Sequence, residues 1–308
     1  MMPHRGGASW KPWAFIAFPL AVIAVFTAIP TLLGIMLSFF VWDGGGAPAF
    51  IGLENYRAAF AGDAQLWRSL RNTLIFTIAS VPLSVGLGFL IAAAIHARWF
   101  RGASAARTMF FLPTVMSIVA VGFTWQWMLN PRAGIINLLP GVSAASAPDW
   151  LGDTPLGLFT MVAVQVWRTV GFCVVLYVAA LSRVPRSLYE AAAVDGATSW
   201  QMTRHITWPS VRPMTAFLAI TGAIWALQVF DLDVVMNGWN PQRWNDMINT
   251  LIFREFKSGR LGYAATVGTV VLVLTAVVAA AQFRWFGIRG RVRGRGRGRW
   301  FRARRAAM

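Results

Sequence analysis

Six stretches of this chain are each long and apolar enough to cross a lipid bilayer, and that leaves few folds open to it. Crossing the hydrocarbon core as an α-helix takes about 20 residues at a rise of about 1.5 Å. The runs lie near Ala14 to Phe40, Thr73 to Ile95, Met109 to Leu129, Leu156 to Leu181, Met214 to Val235 and Ala264 to Phe283. Inside lipid every backbone N–H and C=O must be satisfied internally, which only helices and closed barrels achieve. Barrel strands need roughly 10 residues of alternating polarity; these runs are longer and do not alternate. The expected class is therefore all-α, a six-helix integral membrane protein. The hydrophobic content of 57% and a positive mean hydropathy agree with this and exclude a soluble enzyme. The first run exceeds the roughly 7 to 15 residues of a secretory signal core, and no small-x-small cleavage pattern follows it. It is expected to stay as the first membrane helix.

Arginine sets the expected orientation, because short cytoplasmic loops carry an excess of Lys and Arg. With the N-terminus inside, Arg5, Lys11, Arg98, Arg101, Arg107, Arg183, Arg186, Arg204 and Arg212 fall on one side with the arginines of the C-terminus, opposed only by Glu190 and Asp195. The other side collects Asp43, Glu54, Asp63, Asp149, Asp153, Asp231, Asp233, Asp246 and Glu255, roughly balancing Arg57, Arg68, Arg71, Arg132, Arg243, Arg254, Lys257 and Arg260. Both termini are thereby assigned to the cytoplasm. The chain divides into a cytoplasmic N-terminus (1–12), a transmembrane domain (13–286) and an Arg/Gly-rich tail (287–308). From Arg284 onward there are ten arginines and no acid, a composition that reads as disorder held at anionic lipid headgroups. The RGRGRG run also has the composition of an RNA binder. The positive-inside effect already accounts for the charge, so no nucleic-acid partner is expected.

One polar segment of about 30 residues interrupts the apolar pattern on the cytoplasmic side, from Arg183 to Pro213. Pro185 ends the preceding run, and Ser187-Leu-Tyr-Glu190 has the S-x-x-E spacing of a capping box, predicting a short helix from Leu188. Gly196 supplies the backbone angles that end it. Thr198-Ser-Trp-Gln201 offers a second start, Arg204 and His205 suit the negative end of that helix, and Pro209 and Pro213 are expected to separate it from the next run. Glu190 reads either as a capping residue or as part of a docking surface. Ala191 and Ala192 either clear a helix face for another protein or are simply good helix formers.

This helix–glycine–helix segment resembles the EAA loop of binding-protein-dependent ABC importer permeases, through Glu190, Ala191, Ala192, Asp195, Gly196, Ala197, Ile206 and Pro209. Trp208 stands where that family more often has leucine. Other stretches resemble the carbohydrate (sugar and glycerol-phosphate) branch of the family. They are Phe50-Ile-Gly-Leu-Glu-Asn-Tyr56, Arg71-Asn-Thr-Leu-Ile-Phe76, Phe111-Leu-Pro113, Trp125-Gln-Trp127, Gly134-Ile-Ile-Asn137, Trp150-Leu-Gly152 and Val166-Trp-Arg168. After the fifth run that branch often carries a T-x-G-G-P turn. Here Met236-Asn-Gly-Trp-Asn-Pro241 keeps Gly238 and Pro241 but substitutes Trp239 and Asn240, which alters contacts to a binding protein or solute, or is drift in an exterior loop.

The resemblance implies the type I ABC importer permease fold, alternating access, and an EAA loop acting as the coupling helix that docks into a cytoplasmic ATPase. The sequence has no G-x-x-x-x-G-K-[ST] loop and no room for an ATPase domain, so no catalytic site, metal or bound cofactor is expected; ATP and Mg belong to the partner. The implied complex adds a second permease (a homologous chain or a second copy), two ATPase subunits and an extracytoplasmic solute-binding protein, in a bacterial cytoplasmic membrane. The implied solute is a sugar or related polyol. Such a solute calls for aromatic platforms beside amides or carboxylates, and the pool is Trp125, Trp127, Trp167, Trp225, Gln228, Asp231 and Asn237. Against each tryptophan stands its habit of gathering at membrane interfaces. Arg168 joins the pool because an ionisable group within a span is costly and suggests function. It either lines a polar cavity or pairs with a neighbouring helix, Asp231 and Asp233 being the candidate partners.

A self-sufficient secondary transporter or channel would also be a helical bundle, but gives no reason for the cytoplasmic loop. A membrane-embedded enzyme would need clustered ligands or nucleophiles, whereas His4, His96 and His205 are scattered. Cys173, the single cysteine, excludes an intramolecular disulfide.

Overall fold

A computed structural model of the chain describes residues 11–96, 103–138, 148–152, 154–237 and 245–287. The arginine-rich tail beyond 287, the first ten residues and the turn at 238–241 lie outside the described residues. The first span is α1 (Lys11–Ile23) and α2 (Ile29–Leu37), joined through a π-helical turn at Ala24–Ala28. That turn lies just ahead of Pro30, whose ring lacks an N–H and would press on the carbonyl four residues back. A wider turn relieves the conflict without ending the helix. A two-residue hairpin follows, β1 (Phe40–Val41) antiparallel to β2 (Ala49–Phe50), then α3 (Glu54–Gly62).

The remaining spans are α4 (Ala64–His96), the pair α5 (Ala103–Val115) and α6 (Ile118–Met128), α7 (Pro155–Leu181), α10 (Trp208–Leu227) and α13 (Leu261–Trp285). Between α7 and α10 lie α8 (Arg186–Val194) and α9 (Ser199–Met202); between α10 and α13 lie α11 (Asp231–Asn237) and α12 (Ile248–Lys257). Among the described residues, five helices are long and apolar enough to cross a membrane, and α5 with α6 makes the sixth crossing if that bent pair counts as one.

Two of the six expected runs are built differently from the sequence expectation. The third is not one helix: α5 and α6 meet at 96°, because Ser117 takes an extended backbone (φ −57°, ψ 131°). The fifth was expected to run from Met214 to Val235. Instead a continuous helix from Ser199 ends at Leu227, and the chain turns at Gln228 (φ −107°, ψ 16°) into α11. Asp231 and Asp233 in the first turn of α11 favour a helix start there.

Helices α4 and α7 lie side by side in the same direction at the centre. Ser84 and Thr169 share a hydroxyl hydrogen bond of 2.8 Å, and one turn further Gly88 admits Cys173, whose Cβ is 2.4 Å from where a Cβ at Gly88 would stand. Helix α5 crosses α7 closer still: a Cβ at Gly171 would meet the Phe110 carbonyl oxygen at 1.9 Å. Small residues of this kind let backbones approach in membranes, where lipid supplies little drive for burying apolar side chains. One buried cluster includes Phe76, Met161 and Leu232, a second Phe89, Tyr177 and Leu181, and a third Leu66, Leu251 and Val267.

The exterior end is cross-tied by buried polar groups. Asn55 donates to the Ser38 and Phe40 carbonyls, at 3.0 Å each, and Thr266 reaches the Ser38 carbonyl at 3.1 Å. Asn72 donates to the Asp246 carbonyl, the Ile248 amide donates to Thr73 Oγ1 at 3.0 Å, and Arg254 pairs with Asp246 at 2.8 Å. Residues distant in sequence are thereby pinned in register.

Candidate functional site

The cytoplasmic loop is built largely, though not wholly, as its sequence suggests. Helix α8 starts at Arg186, earlier than expected, because the extended backbone of Pro185 (φ −59°, ψ 130°) takes the N-cap position. The Ser187–Glu190 capping box therefore does not form. Glu190 turns to Arg186 instead, Nε to Oε1 3.2 Å, with both side chains mostly exposed. Gly196 (φ +77°) ends α8 with paired bonds: the Ala197 amide donates to the Ala192 carbonyl at 2.9 Å and the Gly196 amide to that of Ala193 at 3.1 Å. Two orphan carbonyls are satisfied in this way, and only a left-handed residue allows it. The second capping box is present in both directions, Thr198 amide to Gln201 Oε1 at 2.7 Å and Gln201 amide to Thr198 Oγ1 at 3.3 Å.

Beyond it the expected break at Pro209 and Pro213 is absent. A π-helical turn at Thr203–Thr207 carries α9 directly into α10, as upstream of Pro30. The loop is thus continuous with a wall of the bundle.

Of the residues that carry the resemblance, Glu190, Ala191, Asp195, Gly196 and Pro209 are exposed, while Ala192, Ala197 and Ile206 are half-buried. Three large apolar residues that the sequence reading passed over share the loop's surface: Leu188, Val194 (89% exposed) and Trp200 (70%). Their signal was present, as bulky apolar side chains in a polar cytoplasmic loop. Tyr189 anchors the loop to the bundle. Its hydroxyl lies 3.1 Å from Thr207 Oγ1, and its ring meets His96 at the end of α4, centroids 5.8 Å apart.

A cavity of about 460 Å³ opens between α4, α5, α7, α10 and the start of α11. Its walls follow helical spacing: Ser80 and Ser84 on α4, Gln165, Arg168, Thr169 and Phe172 on α7, Leu218, Thr221, Gly222 and Trp225 on α10. Residues at i, i+3, i+4 and i+7 share one helix face. Polar side chains at that spacing within an apolar run were the signal for Ser80, Ser84, Gln165, Thr169 and Thr221, which the sequence reading did not single out. Thr114 adds a hydroxyl that donates to the Arg168 carbonyl at 2.8 Å. Ser80 Oγ, Gln165 Oε1 and Arg168 Nε are buried without a hydrogen-bond partner.

The cavity brings together Arg168, Trp225, Gln228 and Asp231 from the expected pool. Asp231 is the carboxylate that acts electrostatically on Arg168, yet the two form no ion pair. Trp225 and Phe172 make an aromatic wall, with centroids 5.8 Å apart. Trp125 and Trp167 lie outside the cavity lining and pack on each other edge to face at 5.5 Å, and Trp127 is 78% exposed.

Asn237 is also elsewhere, buried beside Asp233 and donating to it. Asp233 accepts further from the Met247 amide at 3.0 Å and from the Thr250 hydroxyl, while burial pushes its carboxyl up to about 7 against the pull of those donors. Of the two candidate partners for Arg168, Asp233 is thus committed to holding α11 on α12.

The profile of the family described as binding-protein-dependent transport system inner membrane component matches residues 72–287. The chain is 31% identical to the lactose transport system permease protein LacF of Rhizobium radiobacter, over 88% of this chain and 92% of that protein. It is 33% identical to the diacetylchitobiose uptake system permease protein NgcF of Streptomyces coelicolor, over 88% and 80% respectively. In structure it is similar to a chain of a bacterial alginate ABC transporter crystallised with an alginate pentasaccharide-bound periplasmic protein. The TM-score is 0.77 at 25% identity, covering 89% of this chain and 93% of that one. The chain is a multi-pass membrane protein and belongs to the family of binding-protein-dependent transport system inner membrane components.

Proposed function

We propose that this chain is a translocating subunit of an ATP-driven, solute-binding-protein-dependent importer of a sugar or related polyol. The observation that carries the reading is the joining of an exposed docking loop and a polar, aromatic-walled cavity by one continuous helix, Ser199–Leu227. An ATPase that grips Glu190, Val194 and Trp200 gains a lever on the wall that carries Thr221 and Trp225. Hydrolysis itself belongs to partner ATPase subunits, which bind the ATP and Mg. A second permease, a homologous chain or another copy, closes the exposed side of the cavity where Trp225, Gln228 and Asp231 stand. An extracytoplasmic binding protein delivers the solute. The sugar class is supported by the relatives named for lactose and diacetylchitobiose, and by a cavity that offers hydroxyl, amide and aromatic groups together.

The test is a pull-down from detergent-solubilised membranes, comparing wild type with Glu190→Lys. The wild type is expected to retain an ATPase, a permease and a binding protein, and the charge reversal to lose the ATPase while melting at an unchanged temperature. Absence of any ATPase from the folded wild type would overturn the importer reading.

A further inference from the structure

Two ionisable side chains line the cavity, one basic and one acidic: Arg168, half-buried on α7, and Asp231, exposed at the rim. They face one space from different helices and do not neutralise each other in an ion pair. Around them lie neutral hydroxyls and amides; Ser80 Oγ and Gln165 Oε1 among these, and Arg168 Nε itself, are buried without a hydrogen-bond partner.

With the open side closed by the second permease, charge inside such walls is weakly screened, so an uncompensated charge is expensive. A solute carrying a carboxylate or phosphate gains at Arg168 and loses at Asp231; an ammonium ion does the reverse. A neutral polyol loses at neither, because a hydroxyl accepts from a guanidinium and donates to a carboxylate with equal ease. We propose that Arg168 and Asp231 form a charge-balanced pair that makes the cavity selective for neutral polyhydroxylated solutes and rejects uronates and sugar phosphates at the permease itself. The proposal rests on the importer reading and narrows its substrate class. It also separates this chain from what the fold alone permits, since a chain of similar fold belongs to an importer of an acidic polysaccharide.

The experiment reads the cavity's potential without needing the solute. Thr221, on the cavity wall, is replaced by cysteine in a Cys173→Ser background, which leaves the chain one thiol. The protein is purified in complex with its copurifying subunits. Modification of that thiol is timed with a cationic reagent, trimethylammonium-ethyl methanethiosulfonate, and an anionic one, sulfonatoethyl methanethiosulfonate, each normalised to its rate with free cysteine. A balanced pair gives a normalised ratio near unity. Asp231→Asn is expected to shift the ratio toward the anionic reagent by roughly three- to tenfold, Arg168→Gln toward the cationic reagent by a similar factor, and the double variant to restore it.

Equal ratios in all four proteins overturn the proposal, as does a wild-type ratio already as skewed as that of either single variant. If one single variant does not assemble, the other single and the double variant carry the comparison. Failure of an ATPase to copurify would count against the importer reading alone, and the reagent ratios would still be readable on the isolated permease.

Discussion

At the exterior end, α4, α11, α12, α13 and the β1–β2 hairpin are tied by buried hydrogen bonds and a buried ion pair. At the cytoplasmic end, α8 stands largely in solvent, anchored through Tyr189, and α9 runs on into α10. The difference separates scaffold from contact surface. A buried polar group is tolerable only where its partners are fixed, so the exterior network holds one geometry. The cytoplasmic loop leaves Val194, Trp200 and the Arg186–Glu190 pair exposed, and exposed bulky apolar groups are what the proposed docking of an ATPase would use.

The contrast should fail most visibly where two backbones touch. Gly171→Leu would drive a side chain into the Phe110 carbonyl; overpacking of this kind costs about 1–3 kcal/mol, and more where backbone cannot yield. We expect little monodisperse protein by size-exclusion chromatography, whatever the state of the loop. A smaller but large effect is expected from Asp233→Ala, which leaves the Met247 amide and Asn237 without their acceptor and should destabilise the fold by about 3 kcal/mol. Thermal melting in detergent would register it, whereas Glu190→Lys should leave melting unchanged. Reversal of that order would dissolve the distinction between the two ends.

Titration sharpens the same point. Because the Asp233 carboxyl is raised above its ordinary value, its contribution is fully present below the usual carboxylate range and is lost as pH rises toward about 7. Melting temperature should therefore fall modestly between about pH 5 and about pH 8 in wild type and less in Asp233→Asn. A small change in stability is expected for Tyr189→Phe, which removes one hydrogen bond worth about 1 kcal/mol yet loosens the anchor of the loop. ATPase activity in the complex should become less dependent on the binding protein while melting barely moves.

The spans and the family were legible in the sequence because lipid imposes a demand that composition alone must meet. The breaks were not. Hydropathy counts apolar residues without sensing direction, so it merged α5 with α6 across Ser117, and α10 with α11 across Gln228. Local cap grammar was ambiguous where two starts competed: Pro185 took the N-cap that Ser187 was expected to hold, while Thr198, with no rival, capped as read. Of the eight expected residues, four line the cavity: Arg168, Trp225, Gln228 and Asp231. Arg168 stood out by its charge, whereas Trp125 and Trp167 were expected on the strength of a side chain that serves packing equally well. Ser80 and Gln165 were hidden because a lone polar residue in an apolar run gains meaning only when its helix face is known.

The π-helical turn at Thr203–Thr207 inserts one residue between the exposed loop and the cavity wall. Each residue of an α-helix is worth about 100° of rotation. Substitutions in this turn would leave that angle largely intact, but deletion of a single residue would swing Trp200 about a quarter-turn around the axis of α10 and aim it away from where it now points. The phase between the exposed loop and the cavity wall is thus held by a residue count, a quantity that drifts through insertion and deletion rather than through changes of side chain.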